Sequence, residues 1–287
     1  MQGGEHSAGA VYPQAGTGVR SGARGRGRPR ARAPRPCAGG GGTLDSAPVS
    51  PVAAVLASTV VAVGAVFQGT VGFGVGTFAA PLLLLIDPRL VPGPLLFTAG
   101  VLITLLTRRE WRGIRFRDLA WSVPGRVLGT AAAVAFLGVV PEQRLVLAIG
   151  LLVLLAVAIS VAGPAVPLTP RTFLGAGALS GFFGTLTAVG GPPIALLYQR
   201  EKGPVVRGTL SAFFVLGVVI SLAGLVTARR FGAPQIRLAL VLLPGALAGY
   251  AVSGRLARIL DHRWLRPAIL AASFAAGALV VLERLLP

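Results

Sequence analysis

Beyond residue 49 the chain alternates long apolar runs with short polar connections that carry most of its arginines. The runs cover roughly 52–67, 71–86, 90–107, 119–140, 144–162, 172–188, 191–198, 206–227, 236–253 and 265–282. None alternates with the period of two that marks a strand, and the long ones approach the roughly 20 residues needed to cross a bilayer as a helix. An all-α polytopic membrane protein is therefore predicted. Two stretches depart from this pattern. Residues 52–86 and 172–198 are each divided by a cluster of glycine and proline, which predicts two arms of about 15 residues. Each pair reads either as a re-entrant hairpin or as two short tilted spans.

The two interruptions are copies of one another. Phe67-Gln68-Gly69-Thr70-Val71-Gly72-Phe73-Gly74-Val75-Gly76, followed by Pro81, returns 115 positions later as Phe182-Phe183-Gly184-Thr185-Leu186-Thr187-Ala188-Val189-Gly190-Gly191-Pro192-Pro193. A second signature, Pro124-Gly125-Arg126-Val127-Leu128-Gly129, recurs 120 positions on as Pro244-Gly245-Ala246-Leu247-Ala248-Gly249, and an insertion near Arg229 to Gln235 accounts for the longer offset. The chain thus divides into a tail, 1–48, a first transmembrane repeat, 49–163, and a second, 164–287. Each repeat runs hairpin, long span, Pro-Gly span, final span, an internal symmetry common in secondary transporters.

If the hairpins re-enter and three crossings follow in each half, the repeats are inverted. One side then collects thirteen Lys and Arg residues, including Arg108 to Arg117, and the other collects six, including Arg229 and Arg230. With four crossings per half the repeats are parallel and the division is ten against nine. The positive-inside rule prefers inversion and puts the 108–117 loop in the cytoplasm, although it also leaves the basic tail outside.

Composition narrows the function. The mean hydropathy is +0.76, with 54% apolar and 13% charged residues, far from a soluble domain. The net charge of +18 belongs to the tail and the connections, the pattern of a plasma-membrane protein facing anionic lipid and not of a nucleic-acid binder. The tail, with Arg24, Arg26, Arg28, Arg30, Arg32 and Arg35 among small residues, has no apolar period and is expected to be disordered. Cys37 is the only cysteine, and His6 and His262 lie in polar segments, so no disulfide framework, haem or metal site is expected, and no cofactor.

The breaks carry the candidate chemistry. Glycine and proline interrupt a helix where lipid cannot satisfy the freed backbone groups, so such breaks face protein or a watery cavity. The N–H groups and positive dipole ends of the arms suit a small anion. The candidate substrate residues are Gln68, Gly69, Thr70, Gly72, Gly74 and Gly76 in the first half, with Thr77 beside them. In the second half they are Gly184, Thr185, Thr187, Gly190, Gly191, Pro192 and Pro193. The two prolines read as the rigid start of an arm in preference to a kink. Against this stands plain small-xxx-small packing at Gly72/Gly76, Gly177/Gly181 and Gly245/Gly249. Arg126 is the only basic residue in the interior of an apolar run, away from its first two residues. It reads either as an anion attractant in a cytoplasmic vestibule, away from the breaks, or as a side chain snorkelling past the Asp118 edge.

The paired motifs resemble those of the TauE/SafE family, the sulfite and organosulfonate exporters also described as toluene sulfonate uptake permeases. The resemblance covers about residues 50–286 and is most specific at Gly190-Gly191-Pro192-Pro193. The first half departs in having Gly74-Val75-Gly76 where the family often has consecutive glycines. The resemblance implies a carrier for small anions such as sulfite or an organosulfonate and does not fix the substrate. An anion channel is the alternative and a lipid-packed scaffold a third reading. An intramembrane protease built on Ser180 lacks a histidine to activate it. Assembly of several copies, the direction of transport and the coupling ion, with protonation of the substrate among the options, stay open.

Overall fold

The computed structural model of the chain describes residues 49–72, 74–110, 113–163, 166–199, 204–256 and 262–286. The tail 1–48 and parts of the 108–117 loop lie outside the described residues. Those described form ten α-helices and one 3₁₀ turn. The first half contributes α1 (Pro51–Val71), α2 (Val75–Ile86), α3 (Gly93–Glu110), α4 (Phe116–Val139) and α5 (Glu142–Ala162). The second contributes α6 (Pro170–Thr187), α7 (Gly191–Leu197), α8 (Pro204–Thr227), α9 (Ala233–Leu256) and α10 (His262–Leu285). Each helix falls on one of the ten apolar runs. Six of them, α1, α4, α5, α8, α9 and α10, are long and apolar enough to cross a membrane. Leu128 and Leu240 on their outer faces are more than half exposed, a surface that only lipid solvates well.

Local chemistry sets the ends. Ser50 caps α1 by accepting the Ala53 N–H, and Pro51 opens its first turn. Thr169 and Thr172 form a reciprocal capping box at the start of α6. The arms of each interrupted stretch are unequal, 21 and 12 residues in the first half and 18 and 7 in the second. The expected division into arms of about 15 is corrected here. Gly69 and Thr70 stay helical because Gly69 packs on Ser253 of α9 and the Thr70 hydroxyl bonds back to the Phe67 carbonyl. That contact offsets the roughly 0.5–1 kcal/mol a helical glycine costs. The chain turns only at Gly72 and Gly74, whose φ angles of 93° and 140° are open to glycine.

Both interrupted stretches fold back on themselves. Phe67 of α1 meets Phe78 of α2 edge-on at 5.2 Å, and Gly64 faces Val75. In the second half the Ser180 hydroxyl reaches the Gly190 carbonyl.

The two halves then exchange partners. The α1–α2 hairpin lies against α9 and α10 of the second half, whereas the α6–α7 hairpin lies against α4 and α5 of the first, and α3 meets α8 between them. Swapping the halves reproduces this set of neighbours. The interfaces of α4 with α6 and of α1 with α9 are the most extensive, and glycine makes them close. A Cβ on Gly125 or Gly129 would strike the carbonyls of Leu174 or Ala178, and one on Gly245 or Gly249 those of Ser58 or Ala62. Gly177 and Gly181 sit equally tightly on α4, so these glycines are packing surfaces. Gly72 and Gly76 are not such a pair, because the chain turns between them.

Candidate functional site

The first hairpin tip is built on Gln68. Its amide spans the turn, donating from Nε2 to the Gly72 carbonyl at 3.2 Å and accepting the Val75 N–H on Oε1 at 3.0 Å. Helix α2 begins at Val75 with no side-chain cap. Val75, Gly76 and Thr77 therefore have no carbonyl one turn back within α2, and Val75 is satisfied by Gln68. Gly76 and Thr77 stand in the first turn of α2 on the cavity side, and the buried Thr77 side chain lies on the same wall. A helix N-terminus with its backbone donors thus forms this tip.

The second tip solves the same turn differently. Gly72 and Ala188, both in the left-handed region, close α1 and α6 by donating to the carbonyls of Gln68 and Gly184, respectively. The structural offset is thus 116, one more than the motif spacing, and sets Gly184 in the place of Gln68. Ala188 holds φ at 60°, a conformation that costs an L-residue roughly 1–2 kcal/mol. Pro192 and Pro193 occupy the second and third positions of α7, so this arm does start at the prolines and its first turn lacks the donors that α2 retains.

Arg126 supplies what the prolines remove. It is 2% exposed, which excludes snorkelling. Its Nη1 donates to the Ser180 carbonyl at 3.0 Å and to Ser180 Oγ at 2.8 Å, and its Nη2 donates to Ser221 Oγ at 3.1 Å. The guanidinium lies 5.6 Å from the Phe213 ring centroid in a slot formed by Gly184, Gly190 and Gly217, where any added Cβ would stand 2.7–2.8 Å from it. Behind it Ser221, Thr185 and Thr130 form a hydroxyl chain with spacings of 2.8 and 3.1 Å. Arg126 was expected in a vestibule. It sits at the second break, because the close α4–α6 contact brings this face of α4 against the tip. All of its described partners are neutral, and its Nε has none. A buried ion left without a countercharge costs several kcal/mol. Asp118, about 12 Å earlier along α4, is engaged by the Tyr198 hydroxyl at 2.7 Å.

The two tips touch where Gly76 packs on the Ala188 carbonyl. Beside that contact lies one cavity, with about 40 Å³ available to water centres. A buried water takes roughly 10–15 Å³ on that measure, so the space suits about three waters or one small oxyanion. Its polar side carries Gln68, Thr77 and Arg126, and its apolar side is made by α3 and α8. The family model described as Sulfite exporter TauE/SafE matches residues 56–280, from within α1 to within α10 and across both hairpins. The chain belongs to the TauE/SafE family. No curated protein and no solved structure matches it.

In this TauE/SafE chain the cavity gathers Gln68, Gly74, Gly76, Gly184, Gly190, Gly191 and Arg126 from the sequence-derived candidates, together with Thr77. The others lie elsewhere. Gly69 faces α9, Gly72 is a cap, and the Thr70 hydroxyl bonds within its own helix, while the Thr187 hydroxyl donates to the Phe183 carbonyl and accepts the Val189 N–H across the second break. Thr185 belongs to the hydroxyl chain behind Arg126, and Pro192 and Pro193 are buried in α7. Sequence reasoning missed the wall residues Leu96, Ala99, Ile103, Phe214 and Val218, which look like any other apolar helix positions. It also missed Ser221 and Gly217. A serine and a glycine four apart in an apolar run are a weak signal for an arginine slot, legible only once a buried arginine needs acceptors.

Proposed function

We propose that this TauE/SafE protein is a secondary transporter that carries a small oxyanion, sulfite or a small organosulfonate, across the plasma membrane, and that the cavity between the hairpin tips is its substrate site. The observation that carries this reading is Arg126, a buried cation whose described partners are neutral, on the wall of a cavity whose opposite tip is the N-terminus of α2. An oxyanion there gains the guanidinium charge, the Gly76 and Thr77 N–H groups and the Thr77 hydroxyl. The glycines of both tips let its oxygens approach the backbone.

Proteoliposomes loaded with sulfite provide the test. Saturable uptake of labelled sulfite, accelerated by unlabelled sulfite on the opposite side, is expected of a carrier, whereas a channel shows no such counterflow. The variant Arg126→Gln should remain folded and lose about tenfold or more in apparent affinity, the worth of one charge-assisted hydrogen bond. Unsaturable flux, or full affinity in the variant, would overturn the assignment.

A further inference from the structure

The charge inventory around the cavity bears on the ionic form of the substrate. Arg126 is permanently protonated and is the only charged side chain among the described residues of the wall. The described residues that face it from the elements packed around it are not titratable. Gln68 comes from α1, Gly74 to Thr77 from α2, and Leu96, Ala99 and Ile103 from α3. Ser180 and Gly184 face it from α6 and Gly190 from the α7 tip, while α8 presents Phe213, Gly217 and Ser221. Asp118, on its own helix, is held by Tyr198. The N-terminus of α2 adds roughly half a positive charge. The C-terminal ends of α1 and α6 converge on the same tips and add partial charge of the opposite sign. The helix ends therefore add nothing to the guanidinium, and the fixed charge available to a bound anion is no more than about one.

We infer that the site takes its anion in the singly charged form, as hydrogen sulfite or a sulfonate monoanion, and rejects dianions such as sulfate and fully ionised sulfite. The inference rests on the substrate site proposed above. One buried positive charge neutralises a monoanion. A dianion would leave an uncompensated negative charge beside the apolar walls from α3 and α8, where no second cation among the described residues can balance it. A protonated oxygen also has a place to donate, because the Thr77 hydroxyl on the wall accepts. No described group on the wall changes protonation between pH 5.5 and 8.5, so any dependence of binding on pH in that range belongs to the ligand. Hydrogen sulfite would carry its proton with it, so movement of acid equivalents would need no acidic relay in the protein.

Calorimetric titration of the purified full-length protein tests this with three probes. Methanesulfonate, a monoanion throughout, should bind with the same affinity from pH 5.5 to 8.5. Sulfite takes up its proton near neutrality, and its apparent affinity should fall about tenfold per pH unit above that point. Sulfate should bind at least a hundredfold more weakly than methanesulfonate, and Arg126→Gln should weaken methanesulfonate binding at every pH. If sulfite binding is flat or strengthens with rising pH while methanesulfonate binds through Arg126, the single-charge inference is wrong and the site stands. If neither sulfite nor methanesulfonate binds, or Arg126→Gln leaves their binding unchanged, the site assignment falls and the inference with it.

Discussion

Arg126 and the three glycines around it show how much a missing methyl group can decide. An alanine at Gly217 would put its Cβ 2.7 Å from the guanidinium carbon, and what must move is the end of a flexible side chain, not the backbone. Gly217→Ala should therefore leave the fold intact, with a melting temperature in detergent within a few degrees of the parent, while lowering oxyanion affinity by roughly tenfold through loss of one charged hydrogen bond. Unchanged affinity would mean that the guanidinium position is immaterial. The sequence singled out Arg126 because it is the only basic residue in the interior of an apolar run. It could not place it, since eight residues from Asp118 is also snorkelling distance, and the slot that buries it is shared among the tip of α6 and α7, the body of α6, and α8. Gln68 was legible from its position in the break. Its use of both amide ends to bridge the turn depends on the φ angles of Gly72 and Gly74, which only the fold reveals.

Among the helices, the glycines of the repeated Pro-Gly signature form interfaces. Gly129 of α4 sits on the Ala178 carbonyl of α6, and Gly245 of α9 on the Ser58 carbonyl of α1. Neither carbonyl can retreat without moving its helix. Gly129→Ala and Gly245→Ala should each destabilise by about 3 kcal/mol, at the upper end of overpacking costs, and reduce the folded yield in fluorescence-detected chromatography. Gly175→Ala, on the same α6 but with nothing within 4 Å of the added Cβ, should be neutral or slightly stabilising, by up to about 1 kcal/mol. Equal losses at all three positions would contradict this division. Small-xxx-small spacing exposed the interfaces in the sequence, since Gly177/Gly181 and Gly245/Gly249 do pack. The unequal hairpin arms were not legible, because whether a glycine ends a helix depends on what lies opposite it. Gly69 continues α1 by virtue of Ser253, a residue 184 positions away in the chain.

For the whole molecule, exchanging the halves preserves the packing of each hairpin on the opposite half, with α1 on α9 answering α6 on α4 and α2 on α10 answering α7 on α5, although α6 also meets α8 where α1 and α3 share no comparable interface. We propose that the halves are inverted in the membrane, as the distribution of Lys and Arg favours. With Cys37→Ser as background, a cysteine at Gly113, between α3 and α4, should resist an impermeant maleimide added to intact cells. One at Gly232, between α8 and α9, should react. Labelling of both or neither would mean parallel halves. The duplication was legible because paired breaks and paired Pro-Gly signatures recur in one order. The exchange of partners was not, since it lies in contacts between residues more than a hundred positions apart. It brings the two tips together and leaves a donor-rich N-terminus opposite an arginine. Crystals of the protein soaked with selenite, the pyramidal selenium counterpart of sulfite, test that arrangement most directly. The selenium anomalous peak should lie in the cavity, with its oxygens about 2.7–2.9 Å from the Arg126 guanidinium and from the Gly76 and Thr77 N–H groups. A peak at another place in the protein, or an empty cavity at saturating selenite, would contradict the account.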